Sequence, residues 1–430
     1  MKIFRRWLFC PCIPRAALHL RPVLLALAFL CPARGLHAES RVDTTSLTGK
    51  VMCGYQGWFN CEGDGAERGW VHWTKRRGPL APGNANIDLW PDVSGLAPDE
   101  RFATEFRHAD GSPAEVFSSF KRATVLRHFE WMREYGIDGA FVQRFAVGVR
   151  DLKSLRQNNT VLASCREGAE RSGRAFAVMY DLSGLGANRI QQVMDDWSLL
   201  RTELHVTESP AYLRHREKPL VAVWGIGFSD GRKYTLAECR ELVEFLEKDG
   251  CTVMLGVPTH WRELKNDSVA DPALHDVLKL ADVVSPWTVG RYRDAAGVAR
   301  HEEKFLKPDL AWCAQAKLDY LPVVFPGFSW HNMKGDPLDA IPRRRGEFLW
   351  SQFAAAKRAG AEMFYVAMFD EVDEGTAIFK CTNDVPHAVE SQFVTYEGLP
   401  SDFYLRLTGA GGKLLRGEIQ IGDKLPALTK

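Results

Sequence analysis

Eight short apolar runs, rich in Val, Phe, Ala and Met, recur along the chain with amphipathic stretches between most of them. They span 51–59 (VMCGYQGWF), 139–145 (GAFVQRF), 175–181 (AFAVMYD), 220–228 (LVAVWGIGF), 252–258 (TVMLGVP), 282–287 (DVVSPW), 321–330 (LPVVFPGFSW) and 363–370 (MFYVAMFD). A run that is apolar at nearly every position marks a strand covered on both faces, as in parallel sheets. Between runs the period becomes helical. Val125, Phe129 and Met132 stand at i, i+4 and i+7 within 123–135, and Phe348, Phe353 and Ala356 are available to one face of 344–359. Gly136, Gly250 and Gly360 each close such a stretch shortly before a strand, as a helix terminator does. Eight strand–helix alternations predict an α/β fold, a (β/α)8 TIM barrel. An open doubly wound sheet competes, but the first run lacks the glycine-rich phosphate turn of such sheets.

Two segments fall outside the alternation. Residues 61–120, rich in Gly, Pro and Trp, are a long insertion after the first strand, expected as a structured loop over one barrel end. The tail carries an apolar run at 403–407 and a glycine-rich turn at 409–412, expected against the barrel wall. At the start, Arg5, Arg6, Arg15 and Arg21 precede the apolar run 22–30, and small Ala38 follows. That order describes a signal peptide over 1–38, leaving one domain over 39–430. The run is shorter than the roughly 20 residues that span a bilayer. The expectation is therefore an exported protein, periplasmic or extracellular, with no integral membrane segment after signal removal.

Charge and cysteines narrow the class. With 55 basic and 54 acidic side chains the chain has no surplus to replace phosphate counterions, so nucleic acid is not an expected partner. Seven of the ten cysteines lie beyond the signal, with no CxxC pair for zinc or thioredoxin-like chemistry. Cys53 and Cys61 are the closest pair and a candidate bridge in an oxidising compartment.

Barrels of this kind carry their chemistry at the carboxyl ends of the strands. Those ends read Tyr55-Gln56-Gly57-Trp58, Gln143-Arg144, Tyr180-Asp181, Trp224, His260-Trp261, Pro286-Trp287, Ser329-Trp330-His331-Asn332 and Asp370-Glu371-Val372-Asp373-Glu374-Gly375. Tryptophan at most ends points to sugar, because indole faces stack on the C–H faces of sugar rings while amides, carboxylates and imidazoles bond hydroxyls. Packing accounts for any single tryptophan; their shared location is what argues for a cleft. Candidate substrate-binding residues are Tyr55, Gln56, Trp58, Gln143, Tyr180, Asp181, Trp224, His260, Trp287, Trp330 and His331, and the expected partner is an oligo- or polysaccharide.

The last strand end is the sharpest feature, with four carboxylates in five residues. Glu371 and Glu374 stand about 5–6 Å apart if the chain turns and roughly 10 Å if it is extended. A close pair suits a retaining glycosidase and raises one pKa, leaving an acid beside a base. A solvated acidic loop and a calcium site remain alternatives, although EF-hand spacing is absent. His72, His260 and His331 are not spaced as a zinc set, and no GxSxG elbow is present. No cofactor is expected.

These residues carry a resemblance. Tyr55-Gln56-Gly57-Trp58-Phe59, Tyr135-Gly136-Ile137-Asp138-Gly139, Tyr180-Asp181, Pro326-Gly327-Phe328-Ser329-Trp330 and above all FDEVDEGT at 369–376 resemble the glycoside hydrolase family 99 and family 71 group, within it the bacterial 71/99-like proteins. The last segment is similar to the family's Asn-Glu-Trp-His-Glu-Gly-Thr motif, with both glutamates kept. The resemblance, over about 50–419, implies a retaining α-glycoside hydrolase on a (β/α)8 barrel, without a metal, acting on a mannose- or glucose-type glycan. It implies Glu371 as base toward the sugar 2-hydroxyl and Glu374 as general acid/base. Asp370, Val372 and Asp373 depart from the motif's Asn, Trp and His. A non-catalytic carbohydrate-binding protein on a decayed hydrolase barrel is the alternative those departures favour.

Overall fold

The computed structural model describes residues 41–422 and 424–428, so the signal segment expected over 1–38 lies outside the described residues. The strands are β1 Val51–Tyr55, β2 Gly139–Phe145, β3 Ala175–Asp181, β4 Lys218–Trp224, β5 Thr252–Pro258, β6 Val283–Trp287, β7 in two pieces at Asp319–Tyr320 and Val323–Val324, and β8 Phe364–Val366. Each pairs in parallel with the next, and β8 returns to β1 with Phe364 beside Val51. β7 closes the ring, because its first piece pairs with β6 and its second with β8. The expected (β/α)8 barrel is the fold observed.

Pro322 divides β7. It has no N–H for the ladder, but its carbonyl still accepts from Tyr365 N at 3.0 Å. The run 321–330 therefore overstates the strand. Residues beyond Val324 leave the sheet, and Phe328 bridges Ile341 instead.

Helices Arg122–Glu134, Leu152–Ser172, Gln191–Thr202, Leu236–Lys248 and Glu347–Ala359 alternate with the strands. Their starts follow local chemistry. Asp151 caps Leu152–Ser172 by accepting from Ser154 N at 2.8 Å, and Thr235 with Glu238 forms a capping box. The helix expected from 344 starts at Glu347, because Gly346 at φ +90° ends a separate turn of 3-10 helix. The expected turn at 409–412 is also corrected. Helix Phe403–Leu415 runs straight through those glycines. A side chain at Gly409 would overlap the Tyr135 carbonyl, and one at Gly411 would reach the Phe353 ring at 2.7 Å. Glycine here permits close packing, not chain reversal.

The insertion holds an antiparallel hairpin of Arg101–Arg107 and Pro113–Phe117. Trp73 packs on Phe59 and Phe117, and Trp90 on Phe106 and Phe393, so these tryptophans join the insertion to the continuous core of the barrel. The seven described cysteines are all free and buried, and no Cys53–Cys61 bridge forms; the Cys61 thiol donates to the Phe117 carbonyl at 3.1 Å. No helix among the described residues is long and apolar enough to cross a membrane.

Candidate active site

After β8 the chain turns through 370–376. The turned alternative holds for the acidic segment: the N–H groups of Thr376 and Ala377 both donate to the Glu371 carbonyl, at 3.2 and 3.0 Å, and Gly375 takes φ +65°. Two anchors fix this loop. Buried Arg343 donates through Nη2 to the carbonyls of Gly375 and Ala377 at 2.8 and 2.7 Å, with its guanidinium over the Tyr396 and Tyr404 rings. The insertion supplies the second anchor, as Asp88 N and Leu89 N donate to the Val372 carbonyl. The Asp88 carboxylate also accepts from the backbones of His331 and Asn332, at 2.7 and 2.8 Å. One aspartate of the insertion thus ties the loops after β7 and β8 together.

The carboxylates have distinct surroundings. Asp370 is fully buried and accepts from Gln56 N at 2.8 Å and Gly57 N at 2.9 Å, one at each oxygen. Burial pushes its carboxyl up to about 7 against the pull of those two donors. Glu371 accepts from Gln56 Nε2 at 2.5 Å and from Thr376 Oγ1 at 2.7 Å, again one at each oxygen. Burial first, then the charges of Glu374 and Asp373, hold it well above the ordinary carboxylate range. Burial, then Asp373, raises Glu374 to about 8, with Trp330 and Lys334 working against the rise.

Asp373 is buried and meets an imidazole from the insertion: its Oδ2 lies 3.1 Å from His72 Nδ1. His72 in turn stacks flat on Trp58, with ring centroids 3.8 Å apart and planes 7° apart. An imidazole therefore stands beside position 373 although that position is not a histidine. Val372 is fully buried and does not line the cleft.

A cleft of about 580 Å³ opens over this loop, within the size range of ligand pockets. It brings together Gln56, Trp58, Gln143, Asp181, Trp224, Trp287, Trp330, Glu371 and Glu374 of the sequence candidates. Beneath it, Gln143 Nε2 lies 3.0 Å from Met179 Sδ and 3.2 Å from Tyr365 Oη. Gly54 leaves room for this floor, since a Cβ there would overlap Met368 and stand 2.5 Å from the Tyr365 hydroxyl.

Four candidates fall outside the cleft lining. Tyr55 is buried with its hydroxyl 2.9 Å from His128 Nδ1 on Arg122–Glu134, so it faces the helix layer. Tyr180 likewise donates to Asp196 at 2.6 Å, beside the Arg144–Asp196 ion pair. His260 Nδ1 is 2.8 Å from Asp267, which does line the cleft, so the imidazole stands one residue behind the wall. His331 Nδ1 lies 2.8 Å from the Asp336 carbonyl. Trp58 lines the cleft, but His72 stacks on it at 3.8 Å and Phe145 at 5.2 Å, which leaves little face for a sugar. Trp224 and Trp287 meet edge to face at 5.5 Å and form the aromatic wall opposite.

Several lining residues escaped the sequence reading. Ser183, Asp230, Asp267, Arg291 and Asp336 sit on loops, where apolar period carries no signal, whereas Phe228 closes the run 220–228. Phe145 closes its strand run and was legible there. Among the described residues no three His, Cys, Asp or Glu side chains are grouped as metal ligands.

No family model and no curated protein matches this chain. Solved structures do. The architecture is a (β/α)8 barrel. In particular it is similar to the GH99 endo-α-mannosidase from Bacteroides thetaiotaomicron in two structures. One is a complex with bis-tris propane, at TM-score 0.62 and 16% identity over 87% of this chain and 99% of that one. The other is at TM-score 0.60 and 18% identity, over 86% and 99%. A glycoside hydrolase-like protein matches at TM-score 0.50 and 12% identity, over 79% of this chain and 98% of that one. At such identity the likeness is one of fold.

Proposed function

We propose that this chain is an exported retaining α-glycoside hydrolase for a mannose- or glucose-type glycan, with Glu371 as base and Glu374 as general acid/base. The observation that carries the reading is the asymmetry of the two glutamates. Glu371 meets a donor at each oxygen, through Gln56 and Thr376, and both donors favour its ionised form against the burial and neighbouring charges that raise it. Glu374, raised to about 8, keeps its proton at neutral pH and has an acid's task available to it.

The chemistry then balances. Glu371 takes the proton of the sugar 2-hydroxyl as that oxygen attacks the anomeric carbon, and Glu374 protonates the departing glycosidic oxygen. The product is a 1,2-anhydro sugar. Glu374, now ionised, takes a proton from water; the water oxygen attacks the anomeric carbon, and the 2-oxygen recovers its proton from Glu371. Trp224 and Trp287 supply stacking surface, while Gln143 and Asp181 address hydroxyls.

The test is hydrolysis of a panel of α-linked manno- and gluco-oligosaccharides by wild type, Glu371→Gln and Glu374→Gln, with the first product's anomer read by NMR. Turnover in wild type with retention, lost in both variants, supports the assignment. Activity that survives both substitutions overturns it, and binding without turnover in wild type selects the non-catalytic alternative. Export predicts a mature amino terminus following Ala38, readable by terminal sequencing.

A further inference from the structure

On the other side of the Trp58–His72 stack lies a second hollow, of about 900 Å³, built by the insertion and the start of Leu152–Ser172. One pair of rings separates the two spaces. His72 lines the outer groove, and Trp58, stacked on it, lines the cleft.

The two spaces differ in charge. The cleft sets Asp181, Asp230, Asp267 and Asp336 beside the two glutamates; Arg232 pairs with Asp230, and Arg291, the one lining cation, pairs with Asp267. The groove presents three consecutive exposed cations, Lys75, Arg76 and Arg77. Arg76 donates to the Gly83 carbonyl at 3.3 Å, and no ion pair among the described residues engages any of the three. The groove's other cations are held locally, Arg68 by the Asn60 amide oxygen and Lys153 by the Glu67 carbonyl. Of its acids, Asp151 is occupied as a helix cap, leaving Glu62 and Glu67. Half-exposed Trp70 adds an aromatic face.

We propose that this groove is an outer subsite for a glycan bearing negative substituents (sulfate, phosphate or carboxylate) on rings removed from the bond held at Glu371 and Glu374. The proposal rests on the reading of the cleft as a glycan site. Exposed ammonium and guanidinium groups without carboxylate partners meet oxyanions directly, with arginine able to bind two oxygens at once. The cleft's one lining cation, Arg291, is held by Asp267, so the cleft offers such substituents no free cation and the charged rings lie outward.

The test uses dextran sulfate, polygalacturonate and unmodified dextran as probes, with binding measured by affinity electrophoresis at 50 and 500 mM NaCl. The proteins compared are wild type, the triple variant Lys75→Gln/Arg76→Gln/Arg77→Gln, and the charge-matched control Arg240→Gln/Lys248→Gln/Lys279→Gln, whose residues lie away from the groove lining. The expected result is about fivefold or greater weakening for an anionic polymer in the groove triple at low salt, less than about twofold in the control, and convergence at high salt. Unmodified dextran is expected to bind all three proteins alike. Which anionic polymer binds more tightly distinguishes sulfate from carboxylate. Equal weakening in both triples means surface charge only and overturns the proposal, as does no anionic binding by wild type. Hydrolysis of a neutral glycan without such binding removes the groove and leaves the cleft. Groove binding without hydrolysis removes the enzyme reading and leaves the groove.

Discussion

Glu374→Gln should stabilise the protein, and by an amount that depends on pH. The Glu374 carboxyl, ordinarily near 4.5, stands at about 8 in the fold, chiefly because burial disfavours its charge. A raised folded value means that the stability carried by the protonated form is complete below about 4.5 and is lost as pH climbs toward 8. At about 1.4 kcal/mol per pH unit, the distance from 4.5 to 7 sets an upper limit of roughly 3 kcal/mol. Water at the cleft mouth screens part of this, leaving about 1–2 kcal/mol. Glutamine has the shape of the neutral acid and never ionises, so it avoids the loss. For a chain of 430 residues the unfolding entropy is about 0.9 kcal/mol per degree, which makes the gain about 1–2 °C in Tm at pH 7. Differential scanning calorimetry at pH 4, 5.5, 7 and 8 measures it. The difference should be near zero at pH 4 and grow upward. A constant offset at all four values, or a variant less stable than wild type at pH 7, would refute the assignment of a proton to Glu374.

Other expectations follow from single contacts. Asp370→Ala strands the N–H groups of Gln56 and Gly57, and at about 1–3 kcal/mol for each buried orphan it should cost about 2–6 kcal/mol in urea unfolding. Trp58→Ala should lower Tm, because both ring faces are packed. Trp287→Ala should instead weaken binding of a neutral α-manno-oligosaccharide by about tenfold with a smaller thermal effect; a reversed pattern would show that Trp58 is the platform. Gly409→Ala should destabilise by more than about 2 kcal/mol, since backbone and not a movable side chain blocks the added methyl.

The barrel was legible because its signal is one-dimensional. Eight runs apolar at nearly every position, most of them separated by 3.6-period stretches, leave few architectures that cover both faces of each strand. β2, β3 and β5 carry the bounds expected of them. The glutamate pair was legible for a similar reason, since residues three apart in a turn are neighbours whatever the rest of the chain does. Cleft membership was not. A strand buried on both faces shows no polar–apolar alternation, so nothing along it tells which of two adjacent residues points inward. Tyr180 faces Asp196 and its neighbour Asp181 faces the cleft; Tyr55 faces His128 and its neighbour Gln56 meets Glu371. Contacts across hundreds of residues were equally hidden. His72 beside Asp373, and Asp88 holding the loops after both β7 and β8, depend on how the insertion folds over the barrel mouth. The chain by itself determined a barrel with two glutamates in a turn after its last strand. Only the tertiary structure decided which side chains share a cavity with them, because strand facing and loop docking are set by packing between segments far apart in sequence.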